Sequence, residues 1–295
     1  MERVIWGVPS FWIERFPLYY GRWRGFFEKR RIDLQIRYYW GGPELAAAVS
    51  AGAVWIGEMG LPSFLKAYSD GLPARVIGSS TIQQLDHYLV ARPQITEMKD
   101  LQGRRLGILS AGSCDEYFAR SLLRTSGLDP DSDVELVPLG TAYGNVRCFS
   151  PSPSSGLPEV DAAFLVDPFV AQAERLGWAR ILAAVRDFFP SCQWGIILAR
   201  NDALASKREL IQRALEGFRA SCREIAERPE KAASFGAQVF RIPRDDFRRA
   251  LLRDLGRWEL EARLDVQGMG NCLQVQKEMG SVPADLGLEG MIQQL

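Results

Sequence analysis

The stretch from Arg3 to Gly57 reads RVIWGVPSFWIERFPLYYGRWRGFFEKRRIDLQIRYYWGGPELAAAVSAGAVWIG, and its alternation decides the fold. The apolar runs Arg3–Val8 and Ile32–Tyr39 predict strands, and Phe16–Lys29 between them predicts a helix with one apolar side. Gly41–Glu44 opens a second helix, because proline is tolerated in a first turn and glutamate favours the positive end of a helix. Short strands that alternate with amphipathic helices indicate βα units around a largely parallel sheet.

The same alternation continues along the chain. It predicts further strands and helices at Val54–Gly57, Leu61–Asp70, Arg75–Ser79, Tyr88–Ala91, Arg105–Leu109, Asp115–Thr125, Ala162–Val166 and Gly195–Ala199. Arg92-Pro93 interrupts the pattern, and we place a first crossover there and a return crossover at Gly195. The sequence thus predicts a first lobe of residues 1–91 and 195–295 and a second lobe of residues 92–194. Predicted helices at Lys207–Ala226, Pro229–Phe235, Arg244–Leu255 and Leu264–Met279 are expected to pack on the first lobe.

Composition excludes several classes of partner. The 295 residues are 47% hydrophobic, which is enough for a substantial core in one large domain or two ordinary ones. Lys and Arg together number 36, as do Asp and Glu, so no whole-protein field attracts nucleic acid or an anionic membrane. Apolar runs such as Val160–Val170 are short and interrupted by Asp161 and Asp167, so no insertion into a membrane is expected.

Cysteine usage bears on compartment and on cofactors. The five cysteines are scattered without a C-x-x-C pair at Cys114, Cys148, Cys192, Cys222 and Cys272. They are expected to be buried thiols, and the sequence predicts no metal or other cofactor. The opening residues, MERVIWGVPSFW, do not follow the order of a secretory signal. Two localisations stay open: the periplasm, if a signal was removed, and the cytoplasm, if Met1 is the native start.

An ordered string of landmarks resembles one known family. Pro17-Leu18-Tyr19 with Gly25–Lys29 is similar to a first-helix motif, and Gly42–Gly52 to a second. Met98–Gly107 and Val160–Phe169 are similar to the motifs at the entry to a second lobe and at its later strand and helix. Together they resemble the nitrate, sulfonate, taurine and pyrimidine-precursor binding proteins of ABC transporters, over about Pro17 to Leu215.

The resemblance implies the type II periplasmic-binding-protein fold, which is an α/β fold of two Rossmann-like lobes joined by two crossovers. Such lobes close on a ligand by hinge motion. The implied function is capture of a small organic, anionic or aromatic solute for an importer, with an ABC permease as the implied partner. The implied solute classes are sulfonates, carboxylates and pyrimidines.

Candidate ligand contacts in the first lobe follow from the position of its loops. In open α/β sheets a ligand lies at the carboxyl ends of strands, beside helix N-termini that attract anions. The loops after the first three strands and the end of the Arg75–Ser79 strand supply candidates at Ser10, Phe11, Trp12, Gly41, Gly42, Glu58, Met59, Ser79 and Ser80. The alternatives are a buried aromatic plug at Phe11 and Trp12, a tight turn at the glycine pair and a capping carboxylate at Glu58.

The second lobe supplies the rest of the predicted wall. Ser110–Ser113 precedes a helix start and is the strongest anion-site candidate, although Ser113 could serve only as a cap. The other candidates are Gly112, Tyr117, Thr141, Ala142, Tyr143, Asp167 and Trp194. For Asp167, the alternative is a helix cap. An aromatic and lightly polar lining of this kind suits a planar ligand.

His87 is the only histidine and raises the alternative of an enzyme. The same fold hosts decarboxylases and lyases, and here His87 with Glu58 or Asp86 would serve as the acid and base acting on an aromatic acid. Against this alternative, Ser10 stands where the resemblance to a desulfinase would require a nucleophilic cysteine, and a lone histidine is more often structural. A ligand sensor is a third possibility, for which the chain offers no output domain.

Overall fold

The structure is a computed structural model, and it describes residues 1–9, 11–81, 87–140, 146–150, 156–188 and 192–295. The strands are β1 (Glu2–Val8), β2 (Ile32–Tyr38), β3 (Ile56–Gly60), β4 (Ala74–Thr81), β5 (His87–Ala91), β6 (Arg104–Ile108), β7 (Val134–Pro138), β8 (Ala162–Val166), β9 (Arg180–Ala184) and β10 (Gly195–Arg200). The helices are α1 (Phe16–Trp23), α2 (Gly41–Ser50), α3 (Leu61–Ser69), α4 (Cys114–Thr125), α5 (Phe169–Leu176), α6 (Asn201–Ser206), α7 (Arg208–Glu227), α8 (Pro229–Phe240), α9 (Arg244–Asp254) and α10 (Val266–Glu278).

The strands form two five-stranded sheets of the same design. The first sheet has the order β2-β1-β3-β10-β4 and the second the order β7-β6-β8-β5-β9. In the first sheet β1 is parallel to β2 and β3, whereas β10 is antiparallel to β3 and β4. In the second sheet β6 is parallel to β7 and β8, whereas β5 is antiparallel to β8 and β9. We call each sheet with the helices packed on it a lobe. This is the type II periplasmic-binding-protein architecture.

The place of β5 differs from the sequence prediction. Residues 88–91 were expected in the first lobe, but His87 pairs with Val166, and Tyr88 pairs with both Leu165 and Ala184 in the second sheet. The chain therefore passes between the sheets before His87, and Arg92-Pro93 only ends a strand. The return agrees with the expected position, since β10 begins at Gly195 and pairs in the first sheet. Pairing partners are distant in sequence, which is why the local pattern misplaced β5.

Other differences between the predicted and observed helices and strands have local causes. The helix predicted over residues 16–29 ends at Trp23, because Gly25 takes a left-handed conformation with φ +70°. The edge strands β7 and β9 escaped prediction. Both are short and partly exposed, and in β7 the apolar run is interrupted by Glu135. The central strands β8 and β10 are buried almost throughout and match the predicted apolar runs.

The C-terminal helices cover the first sheet and also reach the second lobe. Helix α7 packs its apolar side on the first sheet through residues such as Phe218. Helix α8 packs on α1, α9 contacts α1 through Phe247 and Phe16, and α9 also contacts α5 of the second lobe. There Arg253 Nη2 donates to Glu174 Oε2 at 2.7 Å and Arg175 Nε donates to Asp246 Oδ2 at 2.6 Å. The final helices thus join the lobes as well as extending the first. None of the described helices combines the length and apolar character needed to cross a bilayer.

The contact between α8 and α9 predicts a sharp difference between two helical glycines. A Cβ on Gly236 of α8 would lie 2.0 Å from a ring carbon of Phe247, whereas a Cβ on Gly270 of α10 would meet nothing within 4 Å. Gly236→Ala should therefore lower the free energy of unfolding by about 1–3 kcal/mol. Gly270→Ala should raise it by up to about 1 kcal/mol, because alanine favours the helix. Urea denaturation followed by circular dichroism measures both; equal stabilities would contradict the packing.

Candidate functional site

A small buried cavity lies where the two lobes meet. Its volume is about 30 Å³, and its wall is formed by Pro9, Trp12, Glu14, Arg15, Gly41, Gly42, Gly60, Ser63, His87, Leu109, Ser113, Cys114, Asp115 and Trp194. The carboxyl ends of β1 and β3 contribute to one side and the loop after β6 to the other. Ser63 Oγ of the first lobe lies 3.3 Å from Cys114 Sγ of the second. The lobes are therefore closed against each other around the cavity.

Three helices point their N-termini at this cavity. Helix α2 contributes Gly41 and Gly42, α3 follows directly after Gly60, and α4 is preceded by Ser113. A side chain on Gly42 would collide with Ser63 Cβ at 2.4 Å, so glycine is needed for α2 and α3 to approach each other here. The N–H groups of Gly41 and Leu61 already donate to the backbone carbonyls of Pro9 and Trp194. The positive ends of the helix dipoles nevertheless converge from both lobes, which favours negative charge in the cavity.

A buried arginine forms the first-lobe side of the wall. Arg15 lies in a single helical turn, Ile13–Arg15, just before α1, and its side chain is 3% exposed. Its Nη1 lies 2.5 Å from Glu14 Oε2 and its Nε lies 3.3 Å from Glu58 Oε2. Glu58 is fully buried, and burial raises the pKa of its carboxyl to about 7 against the opposing effect of Arg15. Glu58 stands behind Arg15 and is not part of the cavity wall.

A histidine enclosed by aromatic rings forms the opposite side. The His87 ring lies edge-on to Trp12 at 5.2 Å and to Trp194 at 5.1 Å between ring centroids. His87 Nε2 lies 3.6 Å from Asp115 Oδ1, while Asp115 Oδ2 accepts a hydrogen bond from the Leu109 backbone at 3.0 Å. Burial lowers the pKa of His87, and Asp115 only partly offsets this effect. The imidazole is therefore mainly neutral at pH 7 and can either donate or accept a hydrogen bond.

A wider groove adjoins the cavity. It has a volume of about 290 Å³ and lies between α3, α4 and the end of α10. It shares Ser63, Ser113 and Cys114 with the cavity wall. Burial raises the pKa of the Cys114 thiol to about 12, so this thiol is protonated and is a poor nucleophile at neutral pH.

Six of the sequence candidates come together in the cavity wall. They are Trp12, Gly41, Gly42, His87, Ser113 and Trp194. Ser113 occupies the N-cap position of α4 without a capping hydrogen bond from its side chain, and its hydroxyl instead accepts from the Ser110 backbone at 3.4 Å. Gly112 and Tyr117 line the adjoining groove. The expectation that a ligand lies at the carboxyl ends of the strands thus selected residues from both lobes that the fold does bring together.

Other candidates lie apart from the cavity. Phe11 packs in an aromatic cluster against Phe240, with ring centroids 4.5 Å apart, and Met59 is in the apolar core. Ser79 donates to the backbone of Thr81, and Ser80 is buried beside it. The Asp167 carboxylate caps α5 by accepting from the Ala171 backbone at 3.1 Å and lies 3.4 Å from Arg253. Ser10, Asp86, Thr141, Ala142 and Tyr143 lie outside the described residues.

Sequence reasoning missed the most polar part of the wall. Glu14, Arg15 and Asp115 carry charge into a lining that was expected to be only lightly polar. A usable signal for the first two was their position between Ile13 and Phe16, since charges inside an apolar segment that follows a strand suggest a buried pair. Among the described residues, no group of three or more histidine, cysteine or acidic side chains could hold a metal ion.

Comparisons with known proteins agree on one family and one fold. A family model described as NMT1/THI5 like matches residues 12–232. A protein of Brucella abortus (strain 2308) named as a binding protein is 24% identical over 221 residues, which are 74% of this chain and 66% of that relative. The chain thus matches just under two thirds of the relative's length.

Solved structures resemble the whole chain at low sequence identity. The alkanesulfonate-binding protein of Xanthomonas axonopodis pv. citri, bound to MOPS, has a TM-score of 0.82 and 18% identity, and the match covers 100% of this chain and 99% of that one. The periplasmic nitrate-binding protein of Synechocystis PCC 6803 has a TM-score of 0.74 and 12% identity, with coverage of 97% and 83%. These likenesses establish the fold.

The buried Glu58 predicts an unusual dependence of stability on pH. Its pKa is about 7 in the folded chain against 4.5 for an ordinary glutamate, so the folded state holds a proton that the unfolded state has released. The stability that this proton provides is present below pH 4.5 and is lost as the pH rises through 7. Relative to Glu58→Gln, the native chain should lose roughly 3 kcal/mol between those limits. Urea titrations at pH 5, 6, 7 and 8 measure this difference; parallel profiles would contradict a proton-holding Glu58.

Proposed function

Because the chain belongs to the NMT1/THI5-like family, we propose that it is a solute-binding protein that captures a small organic anion between its two lobes. The observation that carries the proposal is the convergence of three helix N-termini and the Arg15 guanidinium on one interlobe cavity. Both features favour a negative group at the same place. The two acidic side chains of the wall are already engaged, Glu14 with Arg15 and Asp115 with His87 and the Leu109 backbone.

The aromatic part of the wall bears on the body of the ligand. Trp12 and Trp194 enclose His87 and present apolar surface beside these polar groups. Such a combination fits a flat organic body that carries one acidic group. Aromatic sulfonates and carboxylates meet this description, and a pyrimidine that bears an acidic substituent also meets it. The Xanthomonas and Synechocystis neighbours are named for binding alkanesulfonate and nitrate, which are likewise anions.

Ligand entry requires the lobes to separate. A cavity of about 30 Å³ holds only about two water molecules and is too small for an organic solute. The sheets are joined by the chain passages between β4 and β5 and between β9 and β10, and rotation about such passages is the usual hinge motion of two-lobed binding proteins. A closed, loaded form would then be the species that a permease of an ABC importer recognises.

The alternative function, an enzyme that uses His87, concerns the same cavity. His87 lies in it, but its carboxylate neighbour is Asp115, whereas Glu58 is in contact with Arg15 instead. Binding and catalysis differ in the fate of the ligand. A bound solute should be recovered unchanged after long incubation, and an enzyme would convert it. Loss of conversion in His87→Ala would then support the catalytic alternative.

A ligand screen tests the proposal directly. Sulfonates, aromatic carboxylates and pyrimidines are added to the purified chain, and thermal unfolding is followed. A solute at one hundred times its dissociation constant should stabilise the folded form by about 2.7 kcal/mol. Mass spectrometry of each stabilising solute after incubation then shows whether it is unchanged. Absence of any stabilising solute, or steady conversion of one, would count against a solute-binding role.

The tryptophan in the wall provides a matched pair of variants. Trp12 is 8% exposed and lines the cavity, whereas Trp23 at the end of α1 is 49% exposed and stacks on Phe235. Trp12→Leu should weaken binding of an aromatic solute from the screen by about fivefold, because an aromatic contact contributes about 1 kcal/mol beyond its area. Trp23→Leu should leave affinity unchanged. Isothermal titration measures both; equal losses would place the solute elsewhere.

A further inference from the structure

We propose that Glu58 is a positioning residue whose protonation state sets how much positive charge Arg15 presents to the ligand, so that capture of an anion is coupled to uptake of a proton. This inference rests on the proposed function and assigns Glu58 a role that differs from direct ligand contact. The ligand class that follows is a small organic anion that stays ionised near pH 7, such as a sulfonate or a carboxylate.

The geometry places Arg15 between the cavity and Glu58. The guanidinium lines the cavity, and Glu58 Oε2 lies 3.3 Å from its Nε. Strand alternation explains the arrangement. Glu58 shares a face of β3 with Ile56 in the apolar cluster against α7, whereas Met59 points to the opposite face. A ligand anion and the Glu58 carboxylate would therefore interact with the same guanidinium from two sides.

Few charged groups act on Glu58 from the elements packed around it. Among the described residues, Arg15 and Glu14 act on it from the turn before α1, and Cys222 interacts with it from α7. Burial is the largest influence and raises the pKa of Glu58 to about 7, Arg15 opposes that shift, and Glu14 adds to it. Burial holds the pKa of Cys222 well above its ordinary value, so its thiol is neutral in the same pH range.

The sign of the coupling follows from this arrangement. Glu14 offsets part of the charge of Arg15 in either state of Glu58. When Glu58 is ionised it adds a second offset, and when Glu58 is protonated that second offset is lost, so Arg15 attracts an anion more strongly. An anion beside Arg15 also disfavours the carboxylate and raises the pKa of Glu58 further. By linkage, each effect implies the other, so affinity for an anion must rise as the pH falls through 7. A cationic ligand would show the opposite trend.

The test uses anions that do not titrate between pH 6 and 8. Benzenesulfonate, ethanesulfonate and nitrate are titrated calorimetrically into the chain at pH 6, 7 and 8, in buffers of different ionisation enthalpy that report proton uptake. We expect at least one of them to bind about tenfold more tightly at pH 6 than at pH 8, with uptake of a fraction of a proton near pH 7.5. Glu58→Gln should bind it with the same affinity at all three pH values, close to the native affinity at pH 6. Glu216→Gln on α7, whose side chain is 58% exposed, is the control and should keep the native pH dependence.

A spectroscopic readout covers the case in which Glu58→Gln folds poorly. Infrared difference spectra of the native chain should show one buried carboxyl band that disappears around pH 7, and benzenesulfonate should shift that midpoint upward. The inference is overturned if anion affinity is independent of pH or rises with pH, or if Glu58→Gln keeps the dependence. It is also overturned if no anion binds while another class of solute does, which would leave the binding function intact. If no solute of any class binds, the proposed function itself fails.

Discussion

The structure depends on two crossings of the chain between its two sheets. Each sheet contains one antiparallel strand that comes from beyond a crossing of the chain: β5 sits between β8 and β9, and β10 sits between β3 and β4. Each crossing leaves an edge strand, β4 or β9, and enters an inner strand of the other sheet, β5 or β10, so hydrogen-bonded strands anchor both ends of each crossing. The carboxyl ends of the parallel strands, and the helices that follow them, are thereby directed at one shared space.

That shared space explains the chemistry of the wall. Helix N-termini from both lobes favour an anion, and a guanidinium buried beside them strengthens the preference. A buried charge is tolerated only with close partners, and Glu14 and Glu58 provide them for Arg15. These two acidic side chains therefore accommodate the buried Arg15, and when ionised they reduce the positive charge that it presents to a ligand.

Much of the fold could be predicted from the sequence, because the alternation of apolar runs and amphipathic helices is a local signal. Their positions near predicted strand ends and the return crossover identified Trp12, Gly41, Ser113 and Trp194 as candidates, and the fold brings these residues to one cavity. Glu58 illustrates what local signals cannot provide. The third strand was predicted to end at Gly57, but it runs to Gly60. Glu58 is therefore part of the strand, and its side chain lies on the face that packs against α7 and contacts Arg15. Arg15 could have been noticed from its place between Ile13 and Phe16, but its contact with Glu58 of β3 joins residues that are distant in sequence.

The central claim is that the ligand lies in the space between the lobes. A crystal structure of the chain grown with its tightest-binding solute tests this claim most directly. The account predicts solute density between Trp12 and Trp194, with the acidic group facing Arg15 and the N-termini of α2, α3 and α4. Well-defined density at any other surface, with the interlobe cavity still filled only by water, would contradict it.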